Sequence, residues 1–433
     1  MSARTRPKVL VAGHFPPSAG GITSLLLTTF RSPLREQIDL VPFNIGRRPK
    51  RTVIHNFGYH AILNAGLKRA TLAITVTLAH MIMFPVALMR HRPAVAHVHT
   101  APYLVFWETS YYVFCARVLG VPCVLQFHSS FRSFYDASGR LTRRLMLRVI
   151  RAATVFAVIS SEDLEFLTGA RGRGARCVYL PNFIDIEAVR TAVHAARERA
   201  DLDGRVSVLF FGGSDASHKG FFHLLRAIRE IGQSLPQLRF DLVAVPAGDV
   251  EQGLPADLLP RCTVHGWLTG TDKTDVLARA DMLVLPSHAE GMPISILEAM
   301  ACSVPVIASR VGGIPDMIAH GRHGRLIEPG DHQALAAAIQ ELAEHSAARA
   351  AMGHSAFKRA TESYDVSAGV RRLLELYEGL LPSAHPRSDG ASEAVRDLRK
   401  TPQPHNSVAS DRTSSPPPPA SADHDRHRFS TRY

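Results

Sequence analysis

The stretch from Leu283 to Pro315 constrains the fold of this chain most, because short apolar runs alternate there with turns, as in a β-α-β unit. The residues from Asp281 to Leu285 form a short, mostly apolar run that Pro286 ends, which favours a buried parallel strand. Pro293 stands where the first position of a following helix is expected. The pattern therefore predicts a helix that starts at about Ile294 and is followed by another strand.

The start of this predicted helix has the properties of an anion site. The segment that forms it consists of Gly291, Met292, Pro293 and Ile294. Free backbone N–H groups at the positive end of a helix can hold a phosphate without a metal. Glu290 lies just before the helix and Glu298 lies in its first turns, so two carboxylates can accept hydrogen bonds from the hydroxyl groups of one ligand.

These residues resemble the donor-binding signature of family four of the retaining glycosyltransferases, also called glycosyltransferase group 1, of the bacterial polysaccharide type. The match comprises Glu290 and Glu298, with seven residues between them, followed by Ala-Met-Ala, Pro-Val-Ile-Ala-Ser and Val-Gly-Gly-Ile-Pro in that order. An ordinary Rossmann-like strand and helix with surface glutamates would explain the alternation. It would not explain the Glu-Gly-Met-Pro interruption.

The resemblance implies an α/β protein with the GT-B fold, in which two Rossmann-like, doubly wound domains face each other across a cleft. We expect an N-terminal acceptor-binding domain over residues 1–200 and a C-terminal domain over residues 201–382 that binds a nucleotide-sugar donor. The 433 residues allow a core for each domain. Residues 383–433 show no apolar period and contain a four-proline run, which predicts a disordered tail.

Two further loops supply candidate donor-binding residues. Gly21 belongs to a Gly-Gly turn after the first predicted strand, on the side where ligands bind α/β sheets, and the matching loop of the family faces the cleft. Gly213 and Lys219 follow the first strand of the second domain, where the resemblance implies binding of the donor diphosphate. Lys219 by itself would be read as a solvated lysine. The arginine position of this loop holds Ser214, so one phosphate contact of the family is expected to be missing.

His128 is the candidate catalytic residue from the first domain. It ends a predicted strand, and such a position points into the crevice of an α/β sheet. Its context resembles the catalytic-cleft histidine of the family, although Ser129 stands where glycine or aspartate is commoner. Because the chain has 22 histidines, a structural role is the alternative. For His99, which ends the preceding strand, we prefer that alternative.

The implied reaction moves a hexose, with retention, from a UDP- or GDP-linked donor to a lipid-linked or glycan acceptor. Glu290 would contact the donor sugar. It would act either as the nucleophile or without bonding to the sugar, while the acceptor displaces the diphosphate from the front face. Glu298 would hold the ribose hydroxyls, and Lys219 would stabilise the leaving diphosphate. No Asp-x-Asp pair stands beside the signature and no dinucleotide fingerprint follows the first strand, so no metal and no cofactor are expected. A non-catalytic nucleotide-sugar-binding partner, or a GT-B epimerase or hydrolase, remain alternatives.

The charge of the chain is unevenly distributed. The net charge is +12, and residues 1–190 hold 24 Lys and Arg against 9 Asp and Glu. This asymmetry suits an anionic partner. Aromatic interleaving, zinc-finger spacing and RNA motifs are missing, so we expect no nucleic acid and prefer contact with an anionic membrane. The residues from Arg140 to Arg151 predict a basic amphipathic helix, which is either a solvated face or a patch for anionic lipid.

The residues from Ala70 to Met89 lack charges and match the length of a membrane span, about 20 residues. Four polar side chains and Pro85 dilute the run, and a single span would put Gly21 and Lys219 on opposite sides of the membrane. We therefore expect a buried helix of the first domain. Five cysteines without a Cys-x-x-Cys pair fit a reduced compartment. The expected location is cytoplasmic, peripheral at the inner face of the cytoplasmic membrane.

Overall fold

The structure is a computed structural model, and it describes residues 6–46, 67–169, 174–199, 204–213 and 216–381. The predicted tail from residue 383 and Ser214 lie outside the described residues. The described residues form two parallel sheets of six strands each, joined by helices on both faces. This arrangement confirms the predicted α/β class with two doubly wound sheets.

The strands of the first sheet have the spatial order β2-β1-β3-β4-β5-β6. They are β1 (Lys8–Gly13), β2 (Asp39–Asn44), β3 (Val95–Thr100), β4 (Cys123–Phe127), β5 (Val155–Val158) and β6 (Cys177–Tyr179). The second sheet has the order β12-β11-β10-β7-β8-β9. Its strands are β7 (Val206–Phe211), β8 (Leu238–Val243), β9 (Cys262–His265), β10 (Met282–Leu285), β11 (Val306–Ser309) and β12 (Gly324–Ile327).

The helices alternate with the strands along the chain, as parallel pairing requires. In the first half they are α1 (Gly21–Arg31), α2 (Leu34–Gln37), α3 (Leu67–His91), α4 (Leu104–Val118), α5 (Phe131–Asp136), α6 (Arg140–Ala152), α7 (Ser161–Thr168) and α8 (Ile186–Arg197). In the second half they are α9 (Phe221–Ile231), α10 (Ala247–Gly253), a 3-10 turn (Leu259–Arg261), α11 (Gly270–Arg279), α12 (Ile294–Ala301), α13 (Ile314–Met317), α14 (His332–Glu344), α15 (Ser346–Tyr364) and α16 (Val366–Glu378).

The central strands are buried on both faces because helices cover each sheet from two sides. All four residues of β10 are buried, and so are all four of β11. Helix α12 begins at Ile294, directly after Pro293, and lies between these two strands in the chain. The strand, helix and strand predicted from the stretch Leu283 to Pro315 are therefore confirmed.

Two helices pack on the half of the molecule opposite to their place in the chain. Ile186 of α8 belongs to the apolar core that also holds Met300 of α12. Leu373 and Tyr377 of α16 pack in the core beneath the first sheet, together with Val11. The final helix thus crosses back to the first half.

Helix α3 is not the buried helix expected from the sequence. Phe84 and Leu88, four residues apart, are buried in the core of the first half, and the ring of Phe84 stacks on Tyr112 of α4 at 4.3 Å between centroids. Most of the other large apolar side chains that the structure describes on α3 are exposed. Among the described residues, one helical stretch, Ile74–His91, is long and apolar enough to cross a membrane; its mean hydropathy is 1.3 and 11% of it is buried. The expectation of burial failed because only one narrow face of α3 meets the sheet.

Candidate active site

Glu290 lies at the carboxyl edge of the second sheet, in the loop between β10 and α12. Its Oε1 accepts a hydrogen bond from Nζ of Lys219 at 2.6 Å and another from Oγ of Ser287 at 2.7 Å. The glutamate side chain is 8% exposed and the lysine side chain is 31% exposed. Because charge-assisted hydrogen bonds of this length are strong, the pair fixes the carboxylate while the lysine keeps access to the cleft.

Glycines bring the loops of the site into direct contact. Gly220, next to Lys219, has φ +79°, and a Cβ there would overlap the carbonyl oxygen of Pro286. Gly312 has φ +53°, and a Cβ there would overlap the carbonyl oxygen of Glu290. Any larger residue at either position would push the loops apart through this overlap, and the positive φ would strain its backbone as well. The glycine turns therefore allow Lys219 and Glu290 to lie in contact.

Glu298 lies one turn into α12 and is held by a residue that the sequence did not indicate. Nζ of Lys273, from the first turn of α11, donates to both carboxylate oxygens of Glu298 at 2.6 Å. The same ammonium group lies 5.5 Å from the centroid of the Phe211 ring, at the end of β7. A single lysine in a polar segment carries no motif, so Lys273 could be found only from the fold.

The first half of the molecule supplies the other wall. A Cβ on Gly21 would lie 3.5 Å from Cγ1 of Ile294, so the predicted Gly-Gly turn faces the start of α12. A Cβ on Gly291 would lie 3.2 Å from the carbonyl oxygen of His128. The structure thus brings Gly21, His128 and the segment from Gly291 to Ile294 to one place, with Glu290 just before it.

Hydrogen bonds also cross between the halves around this place. Nδ2 of Asn182 donates to the carbonyl oxygen of Met292 at 2.8 Å, and the backbone N–H of Asn182 contacts Sδ of the same methionine at 3.2 Å. The backbone N–H of Ser161 donates to Oδ2 of Asp316 at 2.7 Å. Asn182 follows β6 in the segment Pro-Asn-Phe-Ile-Asp. Its contact with the donor loop is a finding of the structure.

His128 lies half-buried directly after β4 and is hydrogen-bonded to a second histidine, His99, at the same edge of the sheet. Its Nε2 lies 2.8 Å from Nδ1 of His99, and the two rings are nearly parallel with centroids 5.0 Å apart. Burial lowers the pKa of His128 from 6.5 to about 3, while the side chain of Asn182 acts in the opposite direction. Burial also lowers the pKa of His99, and neighbouring histidines add to that effect. Both imidazoles are therefore neutral near pH 7.

The remaining predicted site residue, Gly213, follows β7 with φ +89°, and Ser214 next to it lies outside the described residues. Within the described ranges, no group of three or more His, Cys, Asp or Glu side chains is arranged to hold a metal ion. The groups at this edge that could hold a phosphate are Lys219 and the backbone N–H groups at the start of α12.

Comparisons with known proteins agree with this architecture. A model described as Glycosyltransferase Family 4 matches residues 34–188, and one described as Glycosyl transferases group 1 matches residues 205–345. Glycogen synthase of Mycobacterium tuberculosis is 24% identical over 296 residues, which is 66% of this chain and 69% of the relative. A putative teichuronic acid biosynthesis glycosyltransferase, TuaC of Bacillus subtilis, is 28% identical over 264 residues, 60% of this chain and 64% of the relative.

The fold is also found among solved structures. The crystal structure of Anabaena HepE in complex with UDP-glucose is 18% identical, with a TM-score of 0.64, and the match covers 86% of this chain and all of that one. Together the two family models span most of both halves. This chain therefore belongs to the group 1 glycosyltransferases of family four, and it is a glycosyltransferase with the GT-B fold.

Proposed function

We propose that this glycosyltransferase moves a sugar, with retention, from a UDP- or GDP-linked donor to a lipid-linked acceptor in bacterial polysaccharide biosynthesis. One observation carries the proposal: Lys219 bonds Glu290 at 2.6 Å directly before a helix start that faces Gly21 and His128 across the cleft. A cation, a fixed carboxylate and free N–H groups are the parts that transfer from a sugar diphosphate requires.

In this proposal the second half binds the donor. The diphosphate lies between Lys219 and the N-terminus of α12, and the ribose hydroxyls lie at Glu298. Because Lys273 already occupies both oxygens of Glu298, the ribose would accept hydrogen bonds from the lysine as well as donate to the carboxylate. The UDP-glucose complex of HepE supports a nucleotide-sugar donor of this kind. The names of the two relatives support a polysaccharide product.

Glu290 is proposed to act at the donor sugar. Positive charge develops at the anomeric carbon as the bond to the diphosphate breaks, and a preorganised carboxylate stabilises it. The departing diphosphate gains negative charge, which Lys219 can stabilise. The same lysine therefore serves Glu290 in the ground state and the leaving group in the transition state. This change of partner is what makes its interaction stronger when the bond breaks.

A lipid-linked acceptor is supported by the surface of the first half. Helix α3 exposes apolar side chains at four-residue spacing, so they lie along one face. They are Ile74, Leu78, Ile82 and Val86, and Met83 and Met89 are exposed beside them. The neighbouring helix α4 exposes Phe114 and Val118. Exposed apolar patches of this kind are typical of membrane or partner contact.

The charges near this surface suit an anionic bilayer. Helix α6 exposes Arg140, Arg144 and Arg148 beside two exposed leucines, Leu141 and Leu145. Arg143 differs, because its Nε donates to the carbonyl oxygen of Tyr135 at 2.8 Å and its guanidinium group stacks on that ring. We propose a peripheral position at the inner face of the cytoplasmic membrane, with the first half holding the acceptor.

Two measurements, made one after the other, test the proposed function. Thermal unfolding with UDP, GDP, ADP and their sugars identifies the donor, because a ligand at a hundred times its Kd raises stability by about 2.7 kcal/mol. The best donor is then incubated with lipid extract from bacterial membranes, and NMR of the product gives the anomeric configuration. We expect a retained linkage to a lipid-soluble product. Inversion, or hydrolysis or epimerisation of the donor alone, would contradict the proposal.

A further inference from the structure

Three histidines form a stack at the carboxyl edge of the first sheet. The first of them in the chain, His97, is hydrogen-bonded through both ring nitrogens. His97 and His99, two residues apart on β3, lie 4.4 Å apart between ring centroids, and His99 lies against His128. Nδ1 of His97 is 2.7 Å from the hydroxyl of Tyr377 on the final helix, and its Nε2 is 3.1 Å from Oε1 of Gln126. We call His97, His99 and His128 the histidine stack.

The partners of His97 determine where its proton lies. Nε2 of Gln126 donates to the carbonyl oxygen of Leu180 at 3.1 Å, so Oε1 of Gln126 is the acceptor that faces His97. His97 therefore carries its proton on Nε2, and its Nδ1 accepts from the hydroxyl of Tyr377. Burial lowers the pKa of His97 to about 4, which keeps this ring neutral and its tautomer fixed.

A similar argument applies to His128 from its other side. Nδ2 of Asn182 is committed to the carbonyl oxygen of Met292, so Oδ1 of Asn182 is an acceptor. That oxygen is buried and makes no full hydrogen bond to any described residue, while the Asn182 side chain interacts with His128. A proton on Nδ1 of His128 would satisfy this oxygen. Nε2 of His128 would then be the acceptor for the N–H on Nδ1 of His99.

We propose that His99 and Asn182 are positioning residues that hold His128 as the neutral tautomer with its proton on Nδ1. Both ring nitrogens of His128 are then engaged, Nε2 by His99 and the Nδ1 proton by Asn182, so His128 does not act as a general base in the transfer reaction. This inference rests on the proposed function for the role of His128, but the tautomer itself does not depend on it. Asn182 gains a second task, since its bond to Met292 ties the same residue to the donor loop.

The tautomer can be read directly from the 15N chemical shifts of the imidazole of His128, which distinguish a protonated nitrogen from a bare one. The shifts are measured in the full chain at pH 7 without donor. We expect Nδ1 protonated and Nε2 bare. His99→Leu removes the donor and should shift His128 toward a mixture of both tautomers, whereas His99→Asn keeps an amide N–H near the position of Nδ1 and should preserve the pattern.

Kinetics test the consequence for transfer. His99→Leu should lower kcat on the order of tenfold or more with little change in the KM for the donor, because a misplaced group costs rate more than binding. His99→Asn should recover most of that loss. Tyr377→Phe is the matched control, because it removes a buried hydrogen bond to His97 but touches neither His128 nor the cleft. It should leave the 15N shifts of His128 unchanged and kcat within about twofold of the parent value.

The outcomes separate this inference from the proposed function. A protonated Nε2 of His128 in the parent protein would overturn the inference, even if transfer is detected. Equal effects of Tyr377→Phe and His99→Leu would also overturn it, because they would show general loosening. Failure of the parent to transfer sugar from any donor would contradict the proposed function and leave the shift pattern to decide the tautomer. If His99→Leu does not fold, the parent and His99→Asn spectra still decide.

Discussion

Phe183 lies so close to Gly369 of the final helix that a Cβ at the glycine would overlap the phenylalanine ring. The side chain of Phe183 is buried under the first sheet with Tyr377. The close approach of α16 to Phe183 therefore depends on the small residue Gly369.

Replacement of Gly369 tests this contact. Gly369→Ala should lower the free energy of unfolding by about 1 to 3 kcal/mol, because the added methyl group overpacks against a buried ring. Denaturant unfolding measures the loss. Gly139→Ala is the control, since a Cβ there would meet no atom within 4 Å, and it should change stability by at most about 0.5 kcal/mol. Combining Gly369→Ala with Phe183→Leu should cost less than the sum of the two single changes; strict additivity would mean that the residues do not touch.

The histidine stack makes stability depend on pH. Burial lowers the pKa of His97 from 6.5 to about 4 and that of His128 from 6.5 to about 3. Below pH 6.5 the unfolded chain binds protons that the folded chain does not, so stability is full above pH 6.5 and falls as the pH falls toward 4. Each histidine contributes a slope of about 1.4 kcal/mol per pH unit. Unfolding of the parent and of His97→Gln at pH 7 and pH 5 should show a smaller loss in the variant; equal losses would contradict the burial of His97.

Lys273 is predicted to contribute to donor affinity rather than to turnover. Lys273→Met keeps an aliphatic chain over Phe211 but removes the charged partner of Glu298, so it should weaken nucleotide binding about tenfold, as expected for a hydrogen bond to a charged group. Stability should fall by about 1 to 3 kcal/mol, because the side chain of Glu298 is 15% exposed and loses its partner. Calorimetric titration with the donor nucleotide checks the affinity. An unchanged Kd in the folded variant would place the ribose away from Glu298.

The exposed arginines of α6 are predicted to contribute to membrane affinity. Arg144→Glu combined with Arg148→Glu should weaken binding to anionic vesicles at low salt, since each charge near the surface is worth about 1 kcal/mol. Arg229→Glu, an exposed change on α9 of the second half, is the control and should leave binding unchanged. Cosedimentation at several salt concentrations measures both. Undiminished binding of the double variant at high salt would show that the apolar face of α3 carries the contact without the arginines.

Much of the donor side could be predicted from the sequence because local patterns determine it. The run that ends at Leu285 could only be a strand covered on both faces, and Pro293 fixed the start of α12. The motif also placed Lys219 and Glu290 at the carboxyl edge of one sheet, where parallel strands bring loops together. Their contact at 2.6 Å agrees with that reasoning.

Residues that act from other elements could not be found in this way. Lys273 reaches Glu298 from a different helix, and Asn182 reaches Met292 from the other half, so their roles depend on tertiary packing. The sequence contains one indication of the histidine stack. His97 and His99 are two residues apart on β3, which puts both side chains on one face of the sheet.

The length and composition of α3 could not decide its burial. A core helix and a surface helix with an apolar outer face give similar hydropathy, and the difference depends on how much of the helix the sheet covers. Phe84 and Leu88 form the buried face of α3, but their spacing identifies that face only when the position of the neighbouring helix α4 is known.

The central claim is that Glu290 and Glu298 have different tasks, and paired substitutions test it most directly. Glu298→Gln should mainly weaken donor binding, because ribose contacts are equal in ground and transition states. Glu290→Gln should leave the donor Kd within about threefold while lowering kcat about a hundredfold or more, because its carboxylate acts as charge develops at the anomeric carbon. Both glutamates lie at the cleft, so both variants should remain folded, which thermal unfolding verifies. The deciding measurement is kcat of Glu290→Gln with the donor selected by thermal shift and lipid extract as acceptor: a loss of about a hundredfold at near-parent donor affinity is the predicted result, and parent-like turnover would contradict the assignment.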